Sequence, residues 1–424
     1  MARVEDIKQG VLHDLYPRLY GPSYNQEVMD ERYTALAEEH THLFGVKDFS
    51  LFSTAGRSEL GGNHTDHNQG CVIAATINLD TIAAVSRRDD NIVTLISEGY
   101  PPVEVYLDNL EKVDLEENTT EALVRGIAWA FKDRGLEIGG WQANTTSAVL
   151  KGSGLSSSAA IEVLCATIFN HLFNDNTLPA TELAIIGKFS ENHYFGKPSG
   201  LMDQLACAHG QIIGIDFADE EDPVITPLNI SFIEHGYHLT IVDTGGNHAD
   251  LTPEYAAVPI EMRQVAAFFE KEQLRQVDAN EFFAKIKAVR AAVNNDRALL
   301  RAIHFFEENE RVGQMIEALQ QEDILTYLEL VMESGESSFC FLQNLYPSTL
   351  VAEQGLSLAI ALTKRILGPQ SAVRVHGGGF AGTIQAYVLD ADLSRYVEEM
   401  ERVFGEGSVS VIAVRSEPTA CIAE

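Results

Sequence analysis

Residues 150–164 read LKGSGLSSSAAIEVL, which is the most informative stretch of the chain. Gly152, Ser153 and Gly154 allow close approach to the backbone, and the apolar-periodic run that follows predicts a helix starting at about Ser156. This order points free N–H groups and the positive end of a helix dipole at whatever fills the loop. The stretch therefore predicts a phosphate-binding loop, with a glycine-serine turn that only caps a helix as the alternative.

Two common nucleotide-binding loops do not match this stretch. The Walker A pattern GxxxxGK[ST] is absent, and Ser157 stands at the third glycine of the dinucleotide pattern GxGxxG. Ala159 and Ala160 continue the run of small residues, and two further glycine-rich segments lie elsewhere in the chain. These additions favour a ligand-binding loop over a simple cap.

The composition indicates a soluble, acidic, globular protein of 424 residues, which is long enough for two or three domains. Lys and Arg total 30 against 62 Asp and Glu, giving a net charge of -32, so we expect no nucleic-acid partner and no membrane surface. Five scattered cysteines lack metal-ligand spacing, which favours reduced thiols over a structural zinc. The sequence has no secretory signal pattern and no bilayer-spanning apolar window, so we expect a cytoplasmic protein.

The order of predicted elements indicates an α+β chain. Short β-rich segments fill residues 48–108, and helical patterns dominate residues 156–209 and 254–367. The final segment returns to sheet and helix. We therefore expect two domains, residues 1–210 and residues 211–424.

Four motifs carry a resemblance to a known family. They are GRSELGGNHTDHNQG at 56–70, KGSGLSSSAA at 151–160, SGLMDQLACAHG at 199–210 and RVHGGGFAGT at 374–383. In this order they resemble the sugar-binding signature, phosphate loop, catalytic-Asp segment and third glycine loop of galactokinases, within the GHMP small-molecule kinases. The resemblance implies a two-domain GHMP-kinase fold. Its N-terminal domain would be ribosomal-S5-like and its C-terminal domain ferredoxin-like, with the active site in the cleft between them.

The resemblance also implies an activity. This is the ATP-dependent phosphorylation of the anomeric C1 hydroxyl of a hexose, most simply galactose to galactose 1-phosphate. ATP and Mg²⁺ are the implied cofactors. The implied partners are the sugar and ATP, and we expect a monomer or a weak dimer.

Two residues of the matched motifs are implied to be catalytic. Asp203 would orient the attacking hydroxyl and accept its proton, and Arg57 would keep Asp203 ionised and offset charge on the γ-phosphate. Read alone, Asp203 could be a carboxylate at a helix N-terminus and Arg57 a solvated turn residue. The family's magnesium ligands correspond to Ser158 and Glu191, which are oxygen donors of the kind that Mg²⁺ prefers. Without the resemblance, Glu191 would be read as part of a solvated helix face.

Binding residues carry over from the same motifs. The phosphate-binding positions are Gly152, Ser153, Gly154, Leu155, Ser156, Ser157 and Ser158. The sugar-binding positions are Asn63, His64, Asp66, Gly200 and Tyr255, and His67 stands where the family usually has a tyrosine. The glycines of residues 376–382 are predicted to close on the phosphate loop or on Arg57 and the sugar loop, with a plain strand turn as the alternative.

Two positions of the first motif depart from the family pattern. The family usually has Asn where this chain has Glu59, and Glu where it has Asn63. That glutamate usually accepts a hydrogen bond from a sugar hydroxyl, often on C6, whereas an uncharged carboxamide tolerates an anion. A kinase for a C6-modified galactose such as galacturonate is therefore an alternative, although the sugar motifs hold no additional Arg or Lys to pair with its charge.

A non-catalytic protein that senses sugar and ATP is the alternative of another class. Loss of Asp203, of Arg57 or of the small residues after the serines would indicate such a sensor. All of them are present, so the sequence favours the enzyme.

Overall fold

The computed structural model describes residues 1–149, 154–197, 199–246, 251–348 and 350–424, with Thr252 described in its backbone only. Gly152 and Ser153 of the predicted phosphate loop lie outside the described residues. Strands β1 to β12 are, in chain order, Ser50–Gly61, Cys71–Arg87, Ile92–Ser97, Val103–Tyr106, Trp141–Ser147, Ile212–Asp216, Val224–Leu228, Tyr237–Asp243, Ala372–Val375, Thr383–Leu389, Val409–Ile412 and Ala420–Ala423. Helices α1 to α13 are Val4–Lys8, Tyr16–Tyr20, Gln26–Phe44, Thr120–Asp133, Ser157–Phe173, Ala180–Ser190, Met202–His209, Thr252–Phe268, Ala279–Val293, Asp296–Gln320, Ile324–Ser337, Gly355–Ile366 and Leu393–Phe404.

These elements confirm the predicted α+β composition. The predicted phosphate-loop helix, α5, begins one residue after the expected start, at Ser157. Within the described part of the chain, no helix combines the length and apolar character that crossing a membrane requires.

The larger sheet contains eight strands among the described residues. Its order is β12-β1-β2-β5-β3-β4, and β6 pairs with both β2 and β7. Strand β2 organises the sheet, because its 17 residues are long enough to pair with β1 along one edge and with β5 and β6 at opposite ends of the other. Helices α4 to α6 cover one face with apolar side chains at helical spacing, including Val124, Ile127 and Phe131 of α4.

The smaller sheet is antiparallel throughout, in the order β11-β8-β10-β9. One apolar cluster spans both sheets: Leu60 and Ile73 of the larger sheet pack in it with Tyr327 of α11 and Tyr387 of β10. This shared core holds β1 against the turn between β9 and β10. The first motif and the third glycine loop therefore meet, although more than 300 residues separate them in the sequence.

The larger sheet draws strands from both sides of the predicted domain border at residue 210. Strands β6, β7 and β12 all follow that residue, yet they pair with β2, β6 and β1. The sequence pattern identifies strands but does not identify their partners. Judged by sheet membership, the residues up to the end of β7 and the C-terminal strand β12 belong with the N-terminal part of the chain. The division into two domains stays a prediction.

A buried aspartate joins the N-terminal helices to the larger sheet. Asp80 of β2 is fully buried and accepts hydrogen bonds from Arg32 Nη1 at 2.5 Å, Ser53 Oγ at 2.5 Å and Tyr20 OH at 2.9 Å. The Arg415 guanidinium lies 3.7 Å away. Burial raises the pKa of Asp80, but Arg32, Arg415 and Ser53 outweigh it, and the net pKa lies below its usual value.

We expect Asp80→Asn to lower the free energy of unfolding by about 3 to 5 kcal/mol, because it leaves the buried Arg415 and the partly buried Arg32 without their shared countercharge. The stability that Asp80 contributes is fully present above its unfolded pKa of about 4. It is lost as the pH falls through the lower folded pKa. Urea denaturation at pH 7 and at pH 3 measures both effects. The exposed Asp89→Asn variant is the control and should change stability by less than about 0.5 kcal/mol.

Candidate active site

The main cavity, of about 1210 Å³, is bordered by the start of α5, the loop before α7, helix α8 and the third glycine loop. A smaller compartment of about 120 Å³ adjoins it. The two share the side chains of Arg57, Asp66, Asp203 and Tyr255. Most of the predicted site residues therefore surround one continuous space.

Asp203 lies in the first turn of α7, and both of its carboxylate oxygens are engaged. Oδ1 accepts a hydrogen bond from Arg57 Nε at 2.7 Å, and Oδ2 accepts one from Ser156 Oγ at 2.5 Å. Burial raises the pKa of Asp203, but Arg57, Ser156 and Lys197 together hold it below the usual value. Asp203 is therefore ionised at neutral pH, at the junction of the phosphate loop and the smaller compartment.

Arg57 connects the sheet to the phosphate loop. Its side chain is only 7% exposed, its Nη1 donates to the Gly154 carbonyl, and its backbone N–H donates to the Leu155 carbonyl at 3.1 Å. Asp203 raises the pKa of Arg57 against the opposing effect of burial, so the guanidinium remains charged. The position of this cation is fixed by three elements of the fold.

The described part of the phosphate loop has the backbone of a tight turn. Gly154 and Ser156 both have positive φ, of 71° and 61°, and α5 begins at the next residue. Ser156 stands at the N-cap, but its hydroxyl donates to Asp203 and makes no capping bond. The alternative of a turn that only caps a helix therefore does not fit. All five described positions, residues 154–158, line the cavity, and the side chain of Leu155 also packs in the core.

Glu191 is held at the end of α6. It is 2% exposed, and its Oε1 lies 2.8 Å from Lys197 Nζ while its Oε2 accepts hydrogen bonds from Ser199 Oγ and Gln204 Nε2. Gln204 Nε2 also donates to Glu162 on α5, one turn after Ser158. Glu191 is thus linked through Gln204 to Glu162, one turn after the predicted ligand Ser158, and of the two predicted magnesium ligands only Ser158 lines the cavity.

Four of the five predicted sugar residues lie together. His64 Nε2 is 2.9 Å from the Gly378 carbonyl, and burial lowers the pKa of His64 to about 3, so the ring is neutral and this nitrogen is the donor. The His64 and Tyr255 ring centroids are 5.1 Å apart. A Cβ on Gly200 would come within 2.6 Å of Asp66 Oδ2, so only glycine leaves that carboxylate its place.

Asn63 is the exception among the predicted sugar residues. It is fully buried and lines neither compartment. Its Nδ2 donates to the Gly377 carbonyl at 2.7 Å and to Glu59 Oε1 at 3.2 Å, and its Oδ1 accepts from Asn344 Nδ2 at 2.8 Å. The structure thus corrects the expected sugar contact of Asn63. The carboxamide is used to fix the third glycine loop, and Glu59 takes the position on the compartment wall.

The third glycine loop closes on both other loops. Its carbonyls accept hydrogen bonds from the Asn63 and His64 side chains. His376 lies 3.0 Å from Ser58 Oγ through Nε2, and a Cβ on Gly154 would come within 3.3 Å of its Nδ1. This double contact favours the prediction of a closing turn over a plain strand turn.

Comparison with known proteins gives the family. The model for the GHMP kinases N terminal domain matches residues 122–211, and the model for the galactokinase galactose-binding signature matches residues 38–87. A galactokinase of Actinobacillus pleuropneumoniae is 30% identical over 352 residues, which cover 83% of this chain and 87% of that protein. This chain belongs to the galactokinase family. A galactokinase of Streptomyces coelicolor is 29% identical over 87% of this chain and 92% of its own length.

Solved structures agree with the galactokinase assignment. A Lactococcus lactis galactokinase, solved in complex with galactose, superposes with a TM-score of 0.79 at 25% identity, over 92% of this chain and all of that one. A mevalonate kinase superposes with a TM-score of 0.62 at 14% identity, over 87% of this chain and 99% of that one, which supports the fold alone. The predicted GHMP-kinase fold is confirmed, and the chain is a sugar kinase.

Three polar residues of this galactokinase site were not predicted from the sequence. Lys197 lines both compartments and pairs with Glu191, His376 supports the phosphate loop, and Glu162 is fully buried in the polar network. His376 is adjacent to the glycines of the third loop, which was an available signal. No comparable signal in the sequence pointed to Lys197 or Glu162, because their partners lie on other elements.

Proposed function

We propose that this chain transfers the γ-phosphoryl group of ATP to the anomeric C1 hydroxyl of galactose, giving galactose 1-phosphate and ADP. The observation that carries the proposal is the Asp203 carboxylate. It is bound by Arg57 and by Ser156 of the phosphate loop, and it faces the compartment lined by His64 and Asp66. An ionised acceptor thus lies between a nucleotide loop and a polar sugar-sized space.

Asp203 would act on the attacking hydroxyl. A carboxylate within hydrogen-bond distance orients the hydroxyl and accepts its proton as the new P–O bond forms. Because phosphoryl transfer depends mainly on positioning and charge stabilisation, fixing both carboxylate oxygens is itself useful. The lowered pKa of Asp203 keeps its carboxylate ionised at neutral pH.

Arg57 would stabilise charge on both sides of the reaction. Its Nε holds Asp203, and its Nη1 bonds the Gly154 carbonyl where the phosphate loop meets the cavity. A buried, permanently charged guanidinium can offset the charge that spreads over the transferred phosphoryl oxygens. The N–H groups at the start of α5 would contact the ATP phosphates together with the predicted loop positions before it.

The residues present fit a magnesium ion, because all the donors offered are oxygens. Ser158 and Glu191 would hold it, and one oxygen of nearby Glu162, Oε1, is buried without a hydrogen-bond partner among the described residues. When bound, the ion would supply positive charge that offsets the negative charge of the ATP phosphates.

The charges of the smaller compartment favour a neutral sugar. Three carboxylates line it, from Glu59, Asp66 and Asp203, together with the cations Arg57 and Lys197. Both of these cations already have carboxylate partners. An added uronate carboxylate would be repelled, so galactose is favoured over galacturonate. The assembled Asp203 and Arg57 likewise favour an enzyme over a sugar sensor.

A coupled ADP-release assay with a sugar panel tests the proposed function. We expect ADP release with galactose, at least about a hundredfold less with galacturonate, and none above background without an acceptor. Galacturonate as the better substrate would establish the C6-modified alternative. Sugar binding without ADP release for any acceptor would establish the sensor.

We expect Glu191→Gln to raise the Mg²⁺ concentration needed for half-maximal activity by at least about tenfold, because a charged oxygen ligand is lost. Activity titrated with Mg²⁺ at saturating ATP and sugar measures this. Glu182→Gln is the matched control, because Glu182 lies on the same helix and pairs with Arg134 at 3.8 Å outside the cavity. An unchanged Mg²⁺ requirement in Glu191→Gln would remove Glu191 from the metal site.

The setting of the enzyme is a further part of the proposal. The net charge of -32 and the scattered free cysteines support a cytoplasmic protein with small-molecule partners. The proposed assembly is a monomer or a weak dimer, as predicted from the sequence.

A further inference from the structure

Glu59 presents a carboxylate oxygen to the smaller compartment. The residue is only 4% exposed and lines the compartment with His64, Asp66 and Asp203. Its Oε1 is bonded by Arg374 Nη2 and by Asn63 Nδ2. Among the described residues, no donor reaches Oε2. An acceptor that borders the compartment and has no donor among the described residues can accept a hydrogen bond from a ligand bound there.

The carboxylate is fixed in place from behind. Arg374 is fully buried and forms an ion pair with Glu59, and the Asn63 carboxamide that contacts Glu59 is itself held by Gly377 and Asn344. The charge of Arg374 is therefore already neutralised by Glu59. It cannot serve an additional anion in the compartment.

The position of Glu59 along β1 indicates which part of a sugar it faces. Arg57 and Glu59 are two residues apart in a regular stretch of the strand, so their side chains project from the same face about 7 Å apart. Arg57 holds Asp203, the proposed partner of the anomeric hydroxyl. Glu59 therefore lies beside the part of a bound hexose that is remote from C1.

We propose that Glu59 Oε2 accepts a hydrogen bond from a hexose hydroxyl remote from the anomeric centre, making Glu59 a specificity-determining residue of this chain. The inference rests on the proposed function. Relative to the family signature, carboxylate and carboxamide have exchanged places between positions 59 and 63. The carboxylate thus moves onto the compartment wall, and the carboxamide takes a structural role behind it.

The test is a thermodynamic cycle that combines a substitution at Glu59 with the removal of single hydroxyl groups from the sugar. Glu59→Asp keeps the charge opposite Arg374 but withdraws the oxygen by one methylene. Wild type and Glu59→Asp are assayed for kcat/KM with galactose and with its 2-, 3-, 4- and 6-deoxy forms. We expect Glu59→Asp, and removal of one hydroxyl at C3, C4 or C6 from the substrate of the wild type, each to lower kcat/KM by about 10- to 100-fold.

The two losses should not multiply for that one sugar, because both remove the same hydrogen bond. Losses that multiply for every deoxy sugar would overturn the inference. Asn63→Ser is the contrasting variant and should lower kcat/KM for all sugars by a common factor. Should Glu59→Asp fail to fold, Glu59→Gln gives the same cycle, because its one oxygen would stay with the donors Arg374 and Asn63 and an NH₂ group, which cannot accept a hydrogen bond, would replace Oε2. No turnover of galactose by the wild type would instead overturn the proposed function.

Discussion

Asp203→Asn is expected to lower kcat by about 10³- to 10⁴-fold while leaving galactose binding within a fewfold of wild type. Asparagine preserves the shape of the side chain, so hydrogen bonds from Arg57 and Ser156 can persist in part. It cannot accept the proton of the attacking hydroxyl, and it leaves the Arg57 cation without its countercharge. Steady-state kinetics with calorimetric sugar binding separates the two effects.

A second aspartate provides the control for Asp203→Asn. Asp216 pairs with Arg275 at 2.8 Å, outside both compartments. Asp216→Asn should leave kcat within about twofold of wild type, since surface ion pairs contribute little. Retention of more than a tenth of wild-type kcat by Asp203→Asn would mean that Asp203 neither takes the proton nor stabilises charge in the transition state.

Arg57→Met is expected to lower kcat by about 10²- to 10³-fold and to shift the pH dependence of kcat. Burial raises the pKa of Asp203, and the Arg57 guanidinium is the largest effect that lowers it. Removing the guanidinium therefore raises the pKa of Asp203. Because Asp203 must be ionised to accept a proton, the acidic limb of the pH profile should move to higher pH. Activity measured from pH 4 to pH 9 determines the shift.

Arg275→Met is the matched control for Arg57→Met, because it removes a partly buried arginine from the other aspartate pair. It should leave both kcat and the acidic limb unchanged. A lower kcat in Arg57→Met with an unmoved acidic limb would show that Arg57 serves the phosphates alone. An unchanged kcat would exclude Arg57 from the reaction altogether.

The sequence was sufficient to predict the residues that lie within contiguous motifs. Asp203, Arg57 and Ser156 come from three separate motifs, and the structure brings them into direct contact. The strands and helices were also predictable, because their apolar periodicity is local. Sheet partners were not: β12 pairs with β1 across almost the whole chain, and no local pattern records that pairing.

Asn63 illustrates the same limit at the level of one side chain. The chain leaves β1 at Gly61 and turns at Gly62, whose φ is 87°, so the strand alternation that places Arg57 and Glu59 on one face no longer applies at Asn63. Its orientation is decided by Asn344 and Gly377, about 280 and 314 residues away. The motif showed that two residues had changed. Only the fold shows that Asn63 lies behind the compartment and that Glu59 lines it.

The identity of the product tests the proposed reaction most directly. Purified protein is incubated with ATP, Mg²⁺ and galactose, and the sugar phosphate is examined by ³¹P and ¹H NMR. We predict one new phosphomonoester whose phosphorus couples to the anomeric proton, formed in equal amount to ADP. A phosphorus coupled to the C6 protons, or ADP formed without any sugar phosphate, would contradict the account.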